Sequence, residues 1–83
     1  MRHERLAQLI HAHQEALLAQ PASQATHEAI LSLLQGVAAG EITAAHCVRL
    51  LRHQAVRFVD APATAALYRQ AAADLGRLER EDL

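Results

Sequence analysis

Residues 30–51 read ILSLLQGVAAGEITAAHCVRLL: an apolar stripe, a glycine stop, a threonine restart and a second apolar stripe. Ile30, Leu33, Leu34 and Val37 recur at helical spacing, and Ala44, Val48, Leu51 and Ala55 do the same beyond the break. Gly40 can adopt the left-handed conformation that closes a helix, and Thr43 can accept an orphan backbone N–H at the start of the next. Ile42 stands just before that cap, placed to pack on Cys47 as a hydrophobic staple. The segment from Glu41 to Thr43 is about the length that folds one helix back on another. Two antiparallel helices are the economical reading of this stretch.

The flanks extend the pattern. A first helix is expected over about 2–19, with Leu6, Leu9, Ile10 and Leu17 on one face and His13 in the middle of that stripe. Pro21 ends it, because its ring disfavours helical geometry at Gln20 and it lacks a donor. Ser23 is the expected cap of a second helix over about 24–39, which turns Thr26, Ile30, Leu33, Leu34 and Val37 inward and leaves Leu31 off the stripe. The third, about 44–59, turns Val48, Leu51, Ala55 and Val59 inward, with Phe58 at the edge. Asp60 is placed to cap the fourth, about 62–80, with Pro62 in its first turn. There Thr64, Tyr68, Ala71, Leu75, Leu78 and Asp82 alternate in steps of four and three, as in a coiled-coil seam, while the charged end from Arg77 to Leu83 is expected to fray. No run alternates as a strand would. The expected fold is all-α: a single domain over 1–83, a small four-helix bundle built from two antiparallel helical hairpins.

A chain of 83 residues buries only about 60–65% of the surface it exposes when unfolded, so its stability margin is thin. Only two residues, Phe58 and Tyr68, are aromatic. The core must therefore be aliphatic, and alanine at contact positions favours closely spaced helices. With one cysteine no disulfide can form within the chain, and dimerisation is the default source of further stability. A formal net charge of −1 gives no global pull toward nucleic acid or an acidic membrane. The apolar runs are too short for a membrane span, and nothing resembles a secretory signal, so a cytoplasmic protein with no membrane partner is expected. All eight positive side chains are arginine, a bias that a GC-rich coding genome produces as readily as a physical need.

Six histidines invite a metal reading, but their spacing opposes it. His11 and His13 point to nearly opposite sides of a helix, and His46 and His53 stand about 10 Å apart along its axis. No pair has the three- or four-residue spacing of a helical chelate, and neither a metal nor another cofactor is expected. Cys47 follows His46 directly, so the two diverge by about 100° and form no nucleophile–base pair. Its position in a first helical turn would lower its pKa somewhat, although a semi-buried packing role suits it better. The glycines are scattered through helical text and form no phosphate loop. Catalysis is not expected from an aromatic-poor domain of this size. His13, Arg52 and Asp74 intrude near otherwise apolar faces, and a small polar seam of this kind can fix register or oligomeric state.

Arg49, Arg52, His53 and Arg57 follow one another on the third helix, with no acidic residue between Glu41 and Asp60. A helix restarted after Gly-Glu-Ile-Thr with arginines on its outer face resembles the second helix of a helix-turn-helix DNA reader over about twenty residues. The start of that helix departs from the pattern, with Ala44, Ala45 and His46 in place of the usual polar readers. Leu50 lies on the same outer face, and Leu18 and Leu31 also lie off their stripes, which makes more apolar surface than one four-helix layer covers. The expected function is a non-enzymatic protein-binding module, an adaptor, inhibitor, escort or antitoxin-like regulator, acting on a protein partner or on a second copy as a homodimer. Leu18, Leu31, Arg49, Leu50, His53 and Arg57 are its expected surface. The alternative is a small DNA-binding regulator using the arginine face of the third helix.

Overall fold

A computed structural model describes residues 3–81 of the chain. Four helices run in order: α1 (His3–Ala19), α2 (Gln24–Ala38), α3 (Ala44–Arg57) and α4 (Pro62–Glu81), with a short 3-10 turn (Pro21–Ser23) leading into α2. No strand occurs among the described residues, and none of these helices is long and apolar enough to cross a membrane. The expected helix start at Arg2 and the end at Asp82 and Leu83 lie outside the described residues.

The central turn forms for the reasons legible in its residues. Gly40 has φ of 76°, the only positive value among the described residues. Reversing the chain there lets Glu41 N–H donate to Gly36 O at 2.9 Å and Gly40 N–H to Val37 O at 3.1 Å, the paired bonds of a Schellman stop. At the restart His46 N–H donates to Thr43 Oγ1 at 3.1 Å. Ile42 folds back against Gly36 and packs on the core.

Two other caps differ from expectation. Ser23 makes no side-chain cap to α2. Its hydroxyl donates backward to Gln20 O at 3.2 Å, because the 3-10 turn after Pro21 has already begun to wind the chain. Asp60 does not cap α4 either. The helix begins at Pro62, and Ala61 O accepts the Ala65 N–H at 3.0 Å, which puts Asp60 one residue too early.

Ile30, Leu34, Cys47, Leu51 and Leu75 are the largest fully enclosed side chains, with Leu6, Ala55, Tyr68, Ala71 and Ala72 closing the core. Small residues at Ala55, Ala71 and Ala72 let α3 and α4 lie close, and these two share the densest packing in the molecule, followed by α1 with α2. The helices joined by the Gly40 turn, α2 and α3, meet far less. Thus 30–51 folds as a helix, a stop, a restart and a helix, but its two helices find their main neighbours elsewhere. α2 touches all three other helices. Its buried arc is correspondingly wide, and Leu31, expected on an outer surface, is 8% exposed.

The far end of α3 departs from the periodicity. The helix stops at Arg57, and Phe58 caps it with φ of −97° and ψ of 31°. Phe58 stacks on Tyr68 of α4, with ring centroids 5.7 Å apart and planes 10° from parallel. Val59, expected to point inward, falls beyond the helix end and is 70% exposed.

Candidate functional site

The outer side of α3 carries the basic residues that the sequence singles out. Arg49, Arg52, His53 and Arg57 are all exposed, and Leu50 is half-buried. Leu18 is 82% exposed at the end of α1, whereas Leu31 is enclosed. The six expected surface residues therefore do not form one patch. Arg49, Leu50, His53 and Arg57 share a helix, Leu18 stands on another, and Leu31 belongs to the interior.

Beside them lies a feature that the sequence reading passed over. Arg52, Ala55, Val56 and Val59, together with Arg69 and Ala73 of α4, line an open groove of about 510 Å³. Val56 is 73% exposed. A signal for it was present: Val56 follows Arg52 by four residues and His53 by three, so it interrupts the basic face as Leu50 does. Arg52 and Arg69 are the charged members of its lining, and neither has an ion-pair partner among the described residues.

The expected polar seam is rearranged. Arg52 belongs to the groove and not to the seam. His13 of α1 instead meets His27 of α2, Nδ1 to Nδ1 at 3.0 Å, with the ring planes inclined at 47°. His27 is only 3% exposed, and its Nε2 is buried without a partner. Because a buried N–H without an acceptor costs more than an unused lone pair, the arrangement is best met when His27 Nδ1–H donates to His13 Nδ1. Burial holds the His13 pKa below its ordinary value, proximity to His27 lowers it further, and the Asp74 carboxylate works in the opposite direction. Asp74 itself accepts from Gln70 Nε2 and Arg77 Nη2, each at 2.9 Å.

Cys47 is fully enclosed, and burial pushes its thiol up to about 11. The anticipated lowering at a first helical turn is overridden, because desolvating the thiolate outweighs the field of the turn. Among the described residues no three His, Cys, Asp or Glu side chains gather as a metal site requires. On the remaining surface, Arg5 of α1 and Glu81 of α4 pair at 2.8 Å, and His11 and Glu15 pair at 3.0 Å.

Set beside known proteins, the chain matches no protein-family model, no curated protein and no solved structure.

Proposed function

We propose that this chain is a non-enzymatic protein-binding module that docks a protein partner on the outer side of α3, where α3 meets α4. The observation that carries this reading is the pair Val56 and Val59, 73% and 70% exposed in one groove beside two arginines. A single exposed valine needs no explanation, but apolar side chains clustered in a groove with arginine at its edge have the composition of an interface. The DNA-binding alternative draws on the same arginines. It leaves the valines without a role, since phosphate contacts come from charged and polar groups.

The homodimer expectation has two grounds, the thin stability margin of a short chain and the surplus leucines, and the second of these is reduced. With Leu31 enclosed and Leu50 half-buried, Leu18 is the one that stays open. Docking of a different protein chain is accordingly the stronger form of the proposal. The antiparallel hairpin arrangement, α1 with α2 and α3 with α4, would present the groove on the outside of the second hairpin. The lone, enclosed thiol of Cys47 suits a reducing, cytoplasmic setting.

Light scattering on the untagged chain at low and high salt, paired with titration of a short DNA duplex, tests the reading. A monomer in both conditions without duplex binding is the expected result. Tight duplex binding that collapses with salt would replace the protein-docking reading with the nucleic-acid one.

A further inference from the structure

We infer that the α3–α4 groove takes an acidic amphipathic helix of a partner protein, an inference that rests on the protein-docking reading and names the partner's chemistry. The groove's apolar lining is small or branched, Ala55, Val56, Val59 and Ala73, and its charged members are Arg52 and Arg69. It contains no carboxylate. Asp60 lies in the adjoining turn, and Asp74 turns to a different cleft with Arg5, Gln8, Leu9, Arg77 and Leu78, where Gln70 and Arg77 bind its carboxylate. The two arginines are thus exposed and have no counter-charge in the lining.

Charge complementarity selects among occupants. A second copy docked about a two-fold axis would set this lining against itself and bring four arginines together with no carboxylate between them. A nucleic acid would satisfy the arginines but lay its phosphates over two open valines. A chain with an apolar stripe flanked by Asp or Glu satisfies both sets at once.

Backbone hydrogen bonding selects the conformation. An extended segment would lay its N–H and C=O groups along an apolar lining, and the described residues include no strand edge to pair them. A helix meets its own backbone bonds and offers only side chains. Alanines at 55 and 73 allow such a helix to approach closely.

The probe is a phage-displayed library of helical peptides with a fixed apolar stripe and randomised flanking positions, selected on the folded, untagged chain. Enriched peptides are expected to carry Asp or Glu beside the stripe. The variants Arg52→Glu with Arg69→Glu, and Val56→Asp alone, are expected to weaken a selected peptide about tenfold or more while circular dichroism stays unchanged, since all three residues are exposed. Enriched peptides without acidic flanks would overturn the acidic-partner assignment, as would displacement of the peptide by a DNA duplex. Binding that survives the groove variants but fails in Leu18→Asp would overturn the groove and leave protein docking standing. A library that yields no binder would count against both.

Discussion

His13 and His27 face each other Nδ1 to Nδ1 at 3.0 Å across the α1–α2 contact, and one proton between them satisfies two of their four ring nitrogens. Among the described residues each histidine is the other's only side-chain hydrogen-bond partner, and Asp74 acts on His13 through its charge.

Removing half of that pair is expected to cost more than removing all of it. His13→Ala strands His27 with both nitrogens unsatisfied and should lose about 1–3 kcal/mol. His13→Leu with His27→Leu should lose less, because no polar atom is left unmet. Urea denaturation of the two variants checks this. Equal losses would mean that the hydrogen bond contributes nothing specific.

Acid should loosen the fold through the same contact. The His13 pKa is held below its ordinary value of 6.5, so the unfolded chain binds that proton more readily than the folded one. The stabilisation is fully present above about pH 6.5 and drains away as pH falls through the lower folded value. His27 from α2 deepens the effect, and Asp74 from α4 partly offsets it. Melting temperatures between pH 7.5 and 5 should decline in the parent, with a shallower slope in the double leucine variant.

At the central turn, Gly40→Ala forces a side chain into the left-handed region and should cost about 1–2 kcal/mol, although nothing lies within 4 Å to obstruct it. Thr43→Ala removes the acceptor of the His46 N–H and should cost about 1 kcal/mol. Separate thermal melts check both, and Gly40→Asn should recover part of the first loss.

Core truncation should be far more damaging than surface truncation. Leu34→Ala or Leu51→Ala, at fully enclosed positions, should cost about 2–5 kcal/mol, a large share of what holds a small domain folded. Leu18→Ala should change stability by less than about 0.5 kcal/mol. Helicity by circular dichroism against urea separates the two cases.

Cys47 should resist thiol reagents in the native state. With no exposed surface and a thiol pKa near 11, it offers neither access nor thiolate at pH 8. A chromogenic disulfide reagent should react only at the rate of unfolding, and prompt native-state labelling would place the thiol outside the core.

The sequence by itself determined the helices and the central turn. Spacing set the stripes through Ile30, Leu34, Val48 and Leu51, and Gly40 and Thr43 set the stop and restart, because these are interactions within a few residues. It also marked Arg49 and Arg57 of α3 as exposed and His13 as unusual. It did not determine which helix lies against which, since that depends on small residues meeting across separate elements, as Ala55, Ala71 and Ala72 do between α3 and α4. That pairing enclosed Leu31 by surrounding α2, supplied His27 as the partner of His13 and left Arg52 outside the seam. Stacking of Phe58 on Tyr68 accompanies the early end of α3 that turns Val59 outward beside Val56. The groove is therefore a product of tertiary packing, formed by residues that no single helical wheel brings together.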